Sequence, residues 1–454
     1  MSIIIVGAGE VGFHIASRLS RENRDVVLIE KDEHVVRRIA DTLDVQIVHG
    51  NGSSPSILKK AGIDRSELLI AVTDSDEVNI VACIIAASQA HVPTKIARLR
   101  DTEYEKLYSM KGKDGLNIDF IINPEKETVS NILNILDVPD AIYVHDFAKG
   151  NVRLVGFRIG DKLPITNRKL VNIMKDYPDK KFHIAAISRR ASTIVPSGKD
   201  VVLPGDHVFF VSQPKYMPML LKMINKEKLK TKRVVIFGGG NIGFYLASQL
   251  EKRGISTKII EQSKERCGFL SEYLDNTVIL HGDGTDEEIL KEGGVKDTDT
   301  FIGVSDDDEA NILVSLFAKR MGAPRVMVKL NNLSYLQLVS TLGIDVVISP
   351  RVSAVSSVLR FIRKGKVLSV SEIGFEDAEA IEVIAMETSD IVNKPLKDIK
   401  FPSGSLVATV VRGEEIIIPS GNTVIHPGDR AILFSLRSSI PKLEKILTVK
   451  LEYF

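Results

Sequence analysis

The sequence predicts a duplicated α/β fold, in which a larger parallel-sheet unit and a smaller α+β unit each occur twice along 454 residues. Residues 3–12 (IIIVGAGEVG) and 234–243 (VVIFGGGNIG) are apolar runs that end in the same G-x-G-x-x-G pattern. Residues 196–206 (PSGKDVVLPGD) and 419–429 (PSGNTVIHPGD) repeat a turn-rich pattern between runs typical of β-strands. Such repeats at matched positions indicate an internal duplication.

The composition argues against several classes of protein. Hydrophobic residues make up 44% of the chain, and 60 basic against 59 acidic residues leave a net charge of +1. This balance argues against a nucleic-acid-binding protein, which normally carries a basic excess. The two cysteines, Cys83 and Cys267, form no metal-ligand or disulfide pattern, so we interpret them as packing residues in a reduced, cytosolic protein. Neither a secretory signal nor an apolar run of the ~20 residues that span a membrane is predicted.

The first glycine loop follows a predicted central strand at residues 3–6 and precedes a helical pattern. Its first glycine permits a tight turn, its second lets a pyrophosphate approach the backbone, and its third permits close helix packing. The start of the helix adds unpaired N–H groups and a positive dipole end. We therefore predict a Rossmann-type domain that binds a dinucleotide or an adenine nucleotide through Gly7, Ala8, Gly9, Glu10, Val11 and Gly12.

Glu30 ends the second predicted strand and follows Gly12 by 18 residues. An acidic residue about 20 positions after the glycine loop hydrogen-bonds ribose hydroxyls in such folds. Its charge also disfavours a 2′-phosphate, which favours NAD or an adenosine nucleotide over NADP. The alternative is a solvated charge at a strand end.

Further candidates follow the third, fourth and fifth predicted strands. Asn51 is either a contact to the adenine edge or part of an Asx turn. Thr73 and Asp74 begin a polar segment that either contacts ligand or only caps the next helix. Arg98 either reaches a phosphate or forms a surface ion pair. His49 and His281 are interpreted as packing or turn residues.

The second half repeats each of these candidates. Its predicted nucleotide-binding residues are Gly238, Gly239, Gly240, Asn241, Ile242, Gly243, Glu261, Asp283, Ser305, Asp306 and Lys329.

No pattern in the sequence indicates catalysis. Neither half has a G-x-S-x-G elbow, an H-E-x-x-H metal pair or a Walker lysine. The small units offer no clustered acid–base residues of the kind that a dehydrogenase needs beside its nicotinamide. We therefore favour binding without chemistry and predict no catalytic residue and no metal. An NAD-dependent oxidoreductase is the alternative.

The tandem order, the strand-end acids and the [ST]-D-x-D-E-x-N segments at 73–79 and 305–311 together resemble the Trk-type potassium-uptake regulatory proteins. Those proteins carry two regulator-of-K⁺-conductance (RCK) domains, and the resemblance covers the whole chain. It implies RCK N-lobes at 1–135 and 231–362 and C-lobes at 140–224 and 367–454, with a polar connector at 222–232.

The resemblance also implies a function. The N-lobes are expected to bind NAD(H) or ATP/ADP, and four chains are expected to form a homotetrameric gating ring. The ring is expected in the cytoplasm, peripherally bound to a membrane K⁺ translocation subunit of the TrkH/TrkG type. A nucleotide sensor of another transporter is the alternative. The C-lobes are interpreted as dimerisation units.

One departure from the family concerns the position where some ATP-responsive relatives place an arginine inside the glycine loop. This chain has Glu10 there in the first half and Asn241 in the second. Because a carboxylate repels a terminal phosphate, Glu10 favours NAD(H) at the first loop and leaves ADP or ATP possible at the second.

Overall fold

The computed structural model describes residues 2–101, 103–104, 116–179, 181–190, 192–225, 230–373 and 377–448. These residues divide between two compact units, one within Met1–Glu127 and Pro350–Val358 and the other within Thr128–Ser349 and Leu359–Phe454. Each unit combines residues from both halves, so the four predicted domain boundaries stay predictions. Part of the predicted connector, 226–229, lies outside the described residues. Within the described ranges, no helix has the length and apolar character needed to cross a membrane.

A six-stranded parallel sheet forms the centre of the first unit. Its elements are β1 Ser2–Val6, α1 Glu10–Arg21, β2 Asp25–Glu30, α2 Glu33–Ala40, β3 Gln46–His49, α3 Pro55–Lys60, β4 Leu68–Ala71, α4 Asp76–Ser88, β5 Thr94–Arg98 and β6 Phe120–Ile122. The strand order is β3-β2-β1-β4-β5-β6, the Rossmann order, in which the sequence of strands reverses between β1 and β4 while all strands stay parallel. Ile3, Ile4 and Ile5 are completely buried, as predicted for a central strand covered on both faces.

The first small domain follows a helix that leaves this sheet. The elements are α5 Pro124–Leu136, β7 Ala141–Phe147, β8 Val152–Arg158, β9 Arg168–Lys169, α6 Leu170–Lys175, β10 Phe182–Arg189, β11 Ser192–Ile194, β12 Val201–Val202, β13 His207–Ser212 and α7 Met217–Met223. Five antiparallel strands form a sheet in the order β11-β10-β13-β8-β7. The strands predicted on either side of the P-S-G…P-G-D segment are β10 and β13.

The second half repeats the parallel sheet. Its elements are β14 Arg233–Phe237, α8 Asn241–Lys252, β15 Ser256–Glu261, α9 Lys264–Tyr273, β16 Val278–His281, α10 Glu287–Glu292, β17 Thr300–Gly303, α11 Asp308–Arg320, β18 Val326–Lys329, α12 Leu336–Thr341 and β19 Val346–Ile348. The order β16-β15-β14-β17-β18-β19 matches that of the first sheet strand for strand. The predicted duplicated α/β fold is therefore confirmed.

The last helix-and-sheet segment repeats the small domain. Its elements are α13 Pro350–Ile362, β20 Lys366–Ile373, β21 Ala378–Ile384, β22 Ser405–Arg412, β23 Glu415–Ile417, β24 Arg430–Leu436 and α14 Ile440–Leu447. In both copies the Asp of P-G-D accepts a two-pronged hydrogen bond from an arginine of the preceding long strand. Arg189 bonds Asp206 at 2.7 and 2.8 Å, and Arg412 bonds Asp429 at 2.8 to 3.3 Å. Such a two-pronged pairing between a guanidinium and a carboxylate holds each P-G-D turn against its neighbouring strand.

The two antiparallel sheets share one buried core within the second unit. Phe147 and Phe209 of the first sheet lie in the same apolar cluster as Ala380 and Phe434 of the second. His145 Nε2 also lies 3.2 Å from Ser369 Oγ. The small domains therefore pack against each other inside a single chain, and a dimerisation role stays a prediction.

Candidate functional site

The first glycine loop joins β1 to α1 at the carboxyl edge of its sheet. Gly7 has φ +97°, and a Cβ there would lie 2.9 Å from backbone atoms of Thr73. A Cβ on Gly12 would lie 1.9 Å from the Gly7 carbonyl oxygen. Both positions therefore require glycine, the first for its backbone angle and the second for the close approach of the helix.

Gly9 differs from these two glycines because nothing surrounds its Cβ position. It is the N-cap of α1, with φ −61°, and a Cβ there would meet no atom within 4 Å. The second loop repeats this arrangement at Gly240, with φ −58°. Each loop thus offers a bare backbone at a helix N-terminus, which is the geometry that phosphate groups bind.

Glu30 lies beneath the first loop. It is only 9% exposed, so the alternative of a solvated strand-end charge is wrong for this residue. Its Oε2 accepts the Ala8 N–H at 2.7 Å, while Oε1 accepts those of Lys31 and Asp32 at 2.7 and 2.9 Å. The carboxylate therefore shapes the loop, and its remaining lone pairs can still accept a ribose hydroxyl.

Glu261 holds the same place in the second half. Its two oxygens accept the N–H groups of Gly239 at 2.6 Å and Ser263 at 2.7 Å. Val11 and Ile242, which sequence reasoning assigned to the loops, have buried side chains, so ligand contact through their backbone stays a prediction.

Asn51 and Asp283 form Asx turns, the alternative that the sequence left open. Asn51 Oδ1 accepts the Ser53 N–H at 3.0 Å, and Asp283 Oδ1 accepts the Thr285 N–H at 2.9 Å. The Thr285 backbone hydrogen bond lowers the pKa of Asp283. Contact with an adenine base stays a prediction for both residues. His49 makes a turn hydrogen bond, with Nε2 3.0 Å from the Lys31 carbonyl oxygen.

Asn79 and Asn311 are structural residues whose role sequence reasoning missed. Asn79 is fully buried, and its Oδ1 accepts the backbone N–H and the hydroxyl of Thr73 at 2.9 and 2.8 Å. Its Nδ2 donates to the carbonyl oxygens of Thr73 and Arg98. Asn311 makes the same four bonds around Ser305. The available signal was the recurrence of asparagine at matched positions of both acidic segments.

The cations that end the fifth strands are engaged with carboxylates. Arg98 contacts Asp74 at 3.3 Å and Glu125 at 2.9 Å. Lys329 contacts Asp306 at 2.8 Å. The ion-pair alternative is therefore present at both positions, and phosphate contacts by Arg98 and Lys329 stay predictions. Both aspartates are exposed and lie beside the loop that Thr73 or Ser305 begins.

The two loops differ in charge. Glu10 is paired with Arg351 of α13, whose Nε lies 3.1 Å from Glu10 Oε2. The sequence argument treated Glu10 as an uncompensated charge that repels phosphate, whereas in the structure an arginine partly offsets that charge, and the preference of this loop stays a prediction. At the second loop, Asn241 is neutral, and Arg266 donates from Nε to the Gly239 carbonyl oxygen at 2.7 Å. Arg351 and Arg266 were both absent from the predicted sites.

Comparison with known proteins places both loops in a known family. The TrkA-N domain family model matches residues 3–124 and 234–350, and the TrkA-C domain model matches residues 380–448. The Trk system potassium uptake proteins TrkA of Azorhizobium caulinodans and Halomonas elongata are each 38% identical over 458 positions, covering 100% of both chains. This chain belongs to the TrkA family. A TrkA homologue of Methanosarcina mazei is 39% identical over 98% of this chain and 99% of its own length.

Solved structures show the same fold for this TrkA-family chain. The GsuK RCK domain covers 98% of this chain and 94% of its own at a TM-score of 0.62 and 16% identity. The GsuK channel bound to NAD covers 98% of this chain and 78% of its own at 0.64 and 17% identity. The TrkA-N matches contain both glycine loops, so the sites described above lie in the segments that define the family.

Proposed function

We propose that this chain is the cytoplasmic regulatory subunit of a Trk-type potassium uptake system and that it binds a nucleotide at each glycine loop. The observation that carries the proposal is the open Cβ position of Gly9 and Gly240 within loops that are otherwise tightly packed. A helix N-terminus at the topological switch point is the place where such sheets bind phosphates. Membership of the TrkA family supplies the transport system.

NAD(H) is the ligand that we propose first. Glu30 and Glu261 each hold a carboxylate beside the loop, where it can accept a ribose hydroxyl and would repel a 2′-phosphate. GsuK, which shares the fold, has been solved with NAD. ATP or ADP is the second candidate, because Arg351 brings a positive charge to the first loop.

Self-association into a homotetrameric ring is supported by apolar side chains on matched helices. Val81 and Ile84 of α4 are 39% and 42% exposed, and Leu313 and Phe317 of α11 are 50% and 42% exposed. Exposed apolar patches of this kind favour association between protein surfaces. We propose that another copy of this chain covers the exposed apolar side chains of α4 and α11. Because a charge at such a contact disfavours association, we expect Leu313→Asp to lower the oligomeric mass in analytical ultracentrifugation.

Gating then follows from differential binding. A ligand that prefers one ring geometry tenfold contributes about 1.4 kcal/mol per site, and equivalent sites add their effects on one ring. We propose that the ring passes this bias to a membrane K⁺ translocation subunit of the TrkH/TrkG type.

Gly9→Asp and Gly240→Asp test the proposal directly. Aspartate is favoured at helix N-caps, so each variant should fold normally while its charge repels phosphate. We expect each to remove one calorimetric nucleotide site, and the double variant to remove the nucleotide response of K⁺ flux in vesicles that contain the membrane subunit. Gly160→Asp is the matched control, since Gly160 lies in the small domain with only Leu163 at 3.8 Å. Full nucleotide binding by the double variant would refute the assigned sites.

The oxidoreductase alternative makes a different prediction. A regulator returns NADH unchanged, whereas an oxidoreductase consumes it in the presence of its substrate. The test is the absorbance of NADH in the presence of a panel of small carbonyl substrates. An absorbance that falls with the wild-type protein, and that stays constant with the Gly9→Asp variant, would favour the enzyme.

A further inference from the structure

Arg351 brings a guanidinium group from the second half of the chain to the first glycine loop. It is the second residue of α13 and belongs to the same compact unit as the loop. Its Nε donates to Glu10 Oε2 at 3.1 Å, Nη2 pairs with Glu10 Oε1, and Nη1 lies 2.9 Å from Nε2 of His14. The Arg351 side chain is 14% exposed, against 60% for Glu10. The guanidinium is therefore held in place, while the carboxylate faces solvent.

His14 contributes no charge to this cluster at neutral pH. Burial, and then the positive charge of Arg351, lower the pKa of His14 to about 4, against the opposing effect of Glu10. A neutral imidazole can accept the Arg351 Nη1 hydrogen bond at Nε2. The guanidinium thus has one fixed neutral partner, His14, and one exposed charged partner, Glu10.

The exposed carboxylate sits where a ligand's phosphates are expected. Glu10 is the first residue of α1, directly after Gly9, whose open backbone is the proposed phosphate contact. A carboxylate and a phosphate near the same helix N-terminus repel each other and compete for the same cation. Arginine binds phosphate in a two-pronged geometry, as it binds carboxylate.

We infer that Arg351 is a specificity-determining residue of the first nucleotide site, where its guanidinium exchanges Glu10 for the terminal phosphate of an adenine nucleotide. This inference rests on the proposed function. The loop backbone is the proposed contact for a pyrophosphate. The guanidinium of Arg351 adds a positive charge to it and therefore favours the ligand with more negative charge. Among adenine nucleotides, the first site is therefore expected to bind ATP more tightly than ADP.

The duplication makes this arginine a feature of one half. Residues 123–126 (NPEK) match residues 349–352 (SPRV), so Glu125 holds the position of Arg351 in the repeat. Glu125 is acidic and bonds Arg98 at 2.9 Å. The two matched positions therefore carry opposite charges, and the arginine beside the first loop has no counterpart of the same charge in the repeat.

Calorimetric titration of ATP, ADP and NAD tests the inference in a Gly240→Asp background, which leaves the first loop as the nucleotide site. We expect R351Q to weaken ATP binding about tenfold or more, the scale of one charge-assisted hydrogen bond, and to affect NAD less. We expect E10Q to strengthen ATP binding, because it removes the competitor and the repulsion. R65Q, at an exposed residue just before β4 and remote from the loop, is the charge-matched control and should change neither affinity.

The opposite signs separate a ligand contact from a structural ion pair. Both substitutions break the same pair, so a purely structural role would shift ATP affinity in the same direction in both variants, or in neither. Either result would overturn the inference while leaving the proposed function intact, provided that Gly9→Asp still abolishes binding. Equal loss for ATP and NAD in R351Q would refute the terminal-phosphate assignment. Absence of any nucleotide binding in the Gly240→Asp background would overturn the proposed first site as well. Thermal melts of both variants establish that each is folded.

Discussion

The two glycine loops have the same backbone and different charges. Gly7 and Gly238 take φ angles of +97° and +101°, and Cβ atoms on Gly12 and Gly243 would lie 1.9 and 2.1 Å from the matching carbonyl oxygens. The side chains around this common frame have diverged, with the Glu10–Arg351 pair at the first loop and neutral Asn241 at the second. The duplication has kept what the backbone requires, whereas the charged groups that discriminate between ligands are free to differ.

The largest expected effect tests whether the two backbones are equivalent. Gly12→Ala and Gly243→Ala should each destabilise their own loop by roughly 2–4 kcal/mol, because the added methyl group collides with a backbone carbonyl that cannot move away. Gly9→Ala, whose Cβ meets no atom within 4 Å, should cost less than about 1 kcal/mol. Chemical denaturation followed by circular dichroism measures all three. A Gly12→Ala protein as stable as Gly9→Ala would contradict the described packing.

A second test concerns the asparagines behind the loops. Asn79→Ala and Asn311→Ala should each cost about 2–3 kcal/mol, since each removes a fully buried side chain with four hydrogen bonds and leaves backbone groups without partners. The control is Asn276→Ala at an exposed position, expected to change stability by about 0.5 kcal/mol or less. Thermal unfolding of the three variants provides the comparison. If only one asparagine proves costly, the two loops are held differently.

The parts of the site that the sequence predicted are local. The glycine spacing, the strand-end acids and the tandem repeat each depend on residues close together in the chain, where backbone geometry restricts residue type. Arg351 could not be found in this way, because 341 residues separate it from Glu10. The contact forms because the start of α13, the helix after the second parallel sheet, belongs to the first compact unit. No local sequence pattern predicts this.

Other candidates were ambiguous because one residue type serves two purposes. Asparagine and aspartate suit both Asx turns and ligand contacts, so Asn51 and Asp283 could not be assigned from sequence, and the structure places both in turns. Glu30 was expected to be either a ribose ligand or a solvated charge. Its burial against the loop backbone excludes the solvated charge, and the ribose contact stays a prediction.

A smaller effect compares the two strand-end acids. Glu30→Gln keeps the size of the side chain and one acceptor oxygen, but it loses the charge that strengthens three backbone hydrogen bonds. We expect a loss of about 1–2 kcal/mol, and a smaller loss for Glu261→Gln, whose carboxylate makes two such bonds and is more exposed. Urea denaturation with each variant measures the difference. Equal losses would mean that burial does not distinguish the two acids.

The effect that is smallest at neutral pH is a pH dependence that His14 gives to the first loop. The pKa of His14 falls from its ordinary value of 6.5 to about 4, chiefly through burial, with Arg351 and Arg21 opposing protonation and Glu10 favouring it. Because the unfolded chain binds a proton that the folded chain excludes, this histidine costs no stability above pH 6.5 and lowers stability as the pH falls from 6.5 towards 4. The slope is at most about 1.4 kcal/mol per pH unit.

His145, His183 and His207 have lowered pKa values as well, so the measurement is the difference in stability between wild type and His14→Gln across this pH range. Tyr245→Phe, at the matched position of the second half, is the control and should follow the wild-type slope. Parallel pH profiles for wild type and His14→Gln would contradict the lowered pKa, because they would mean that folding leaves the pKa of His14 unchanged.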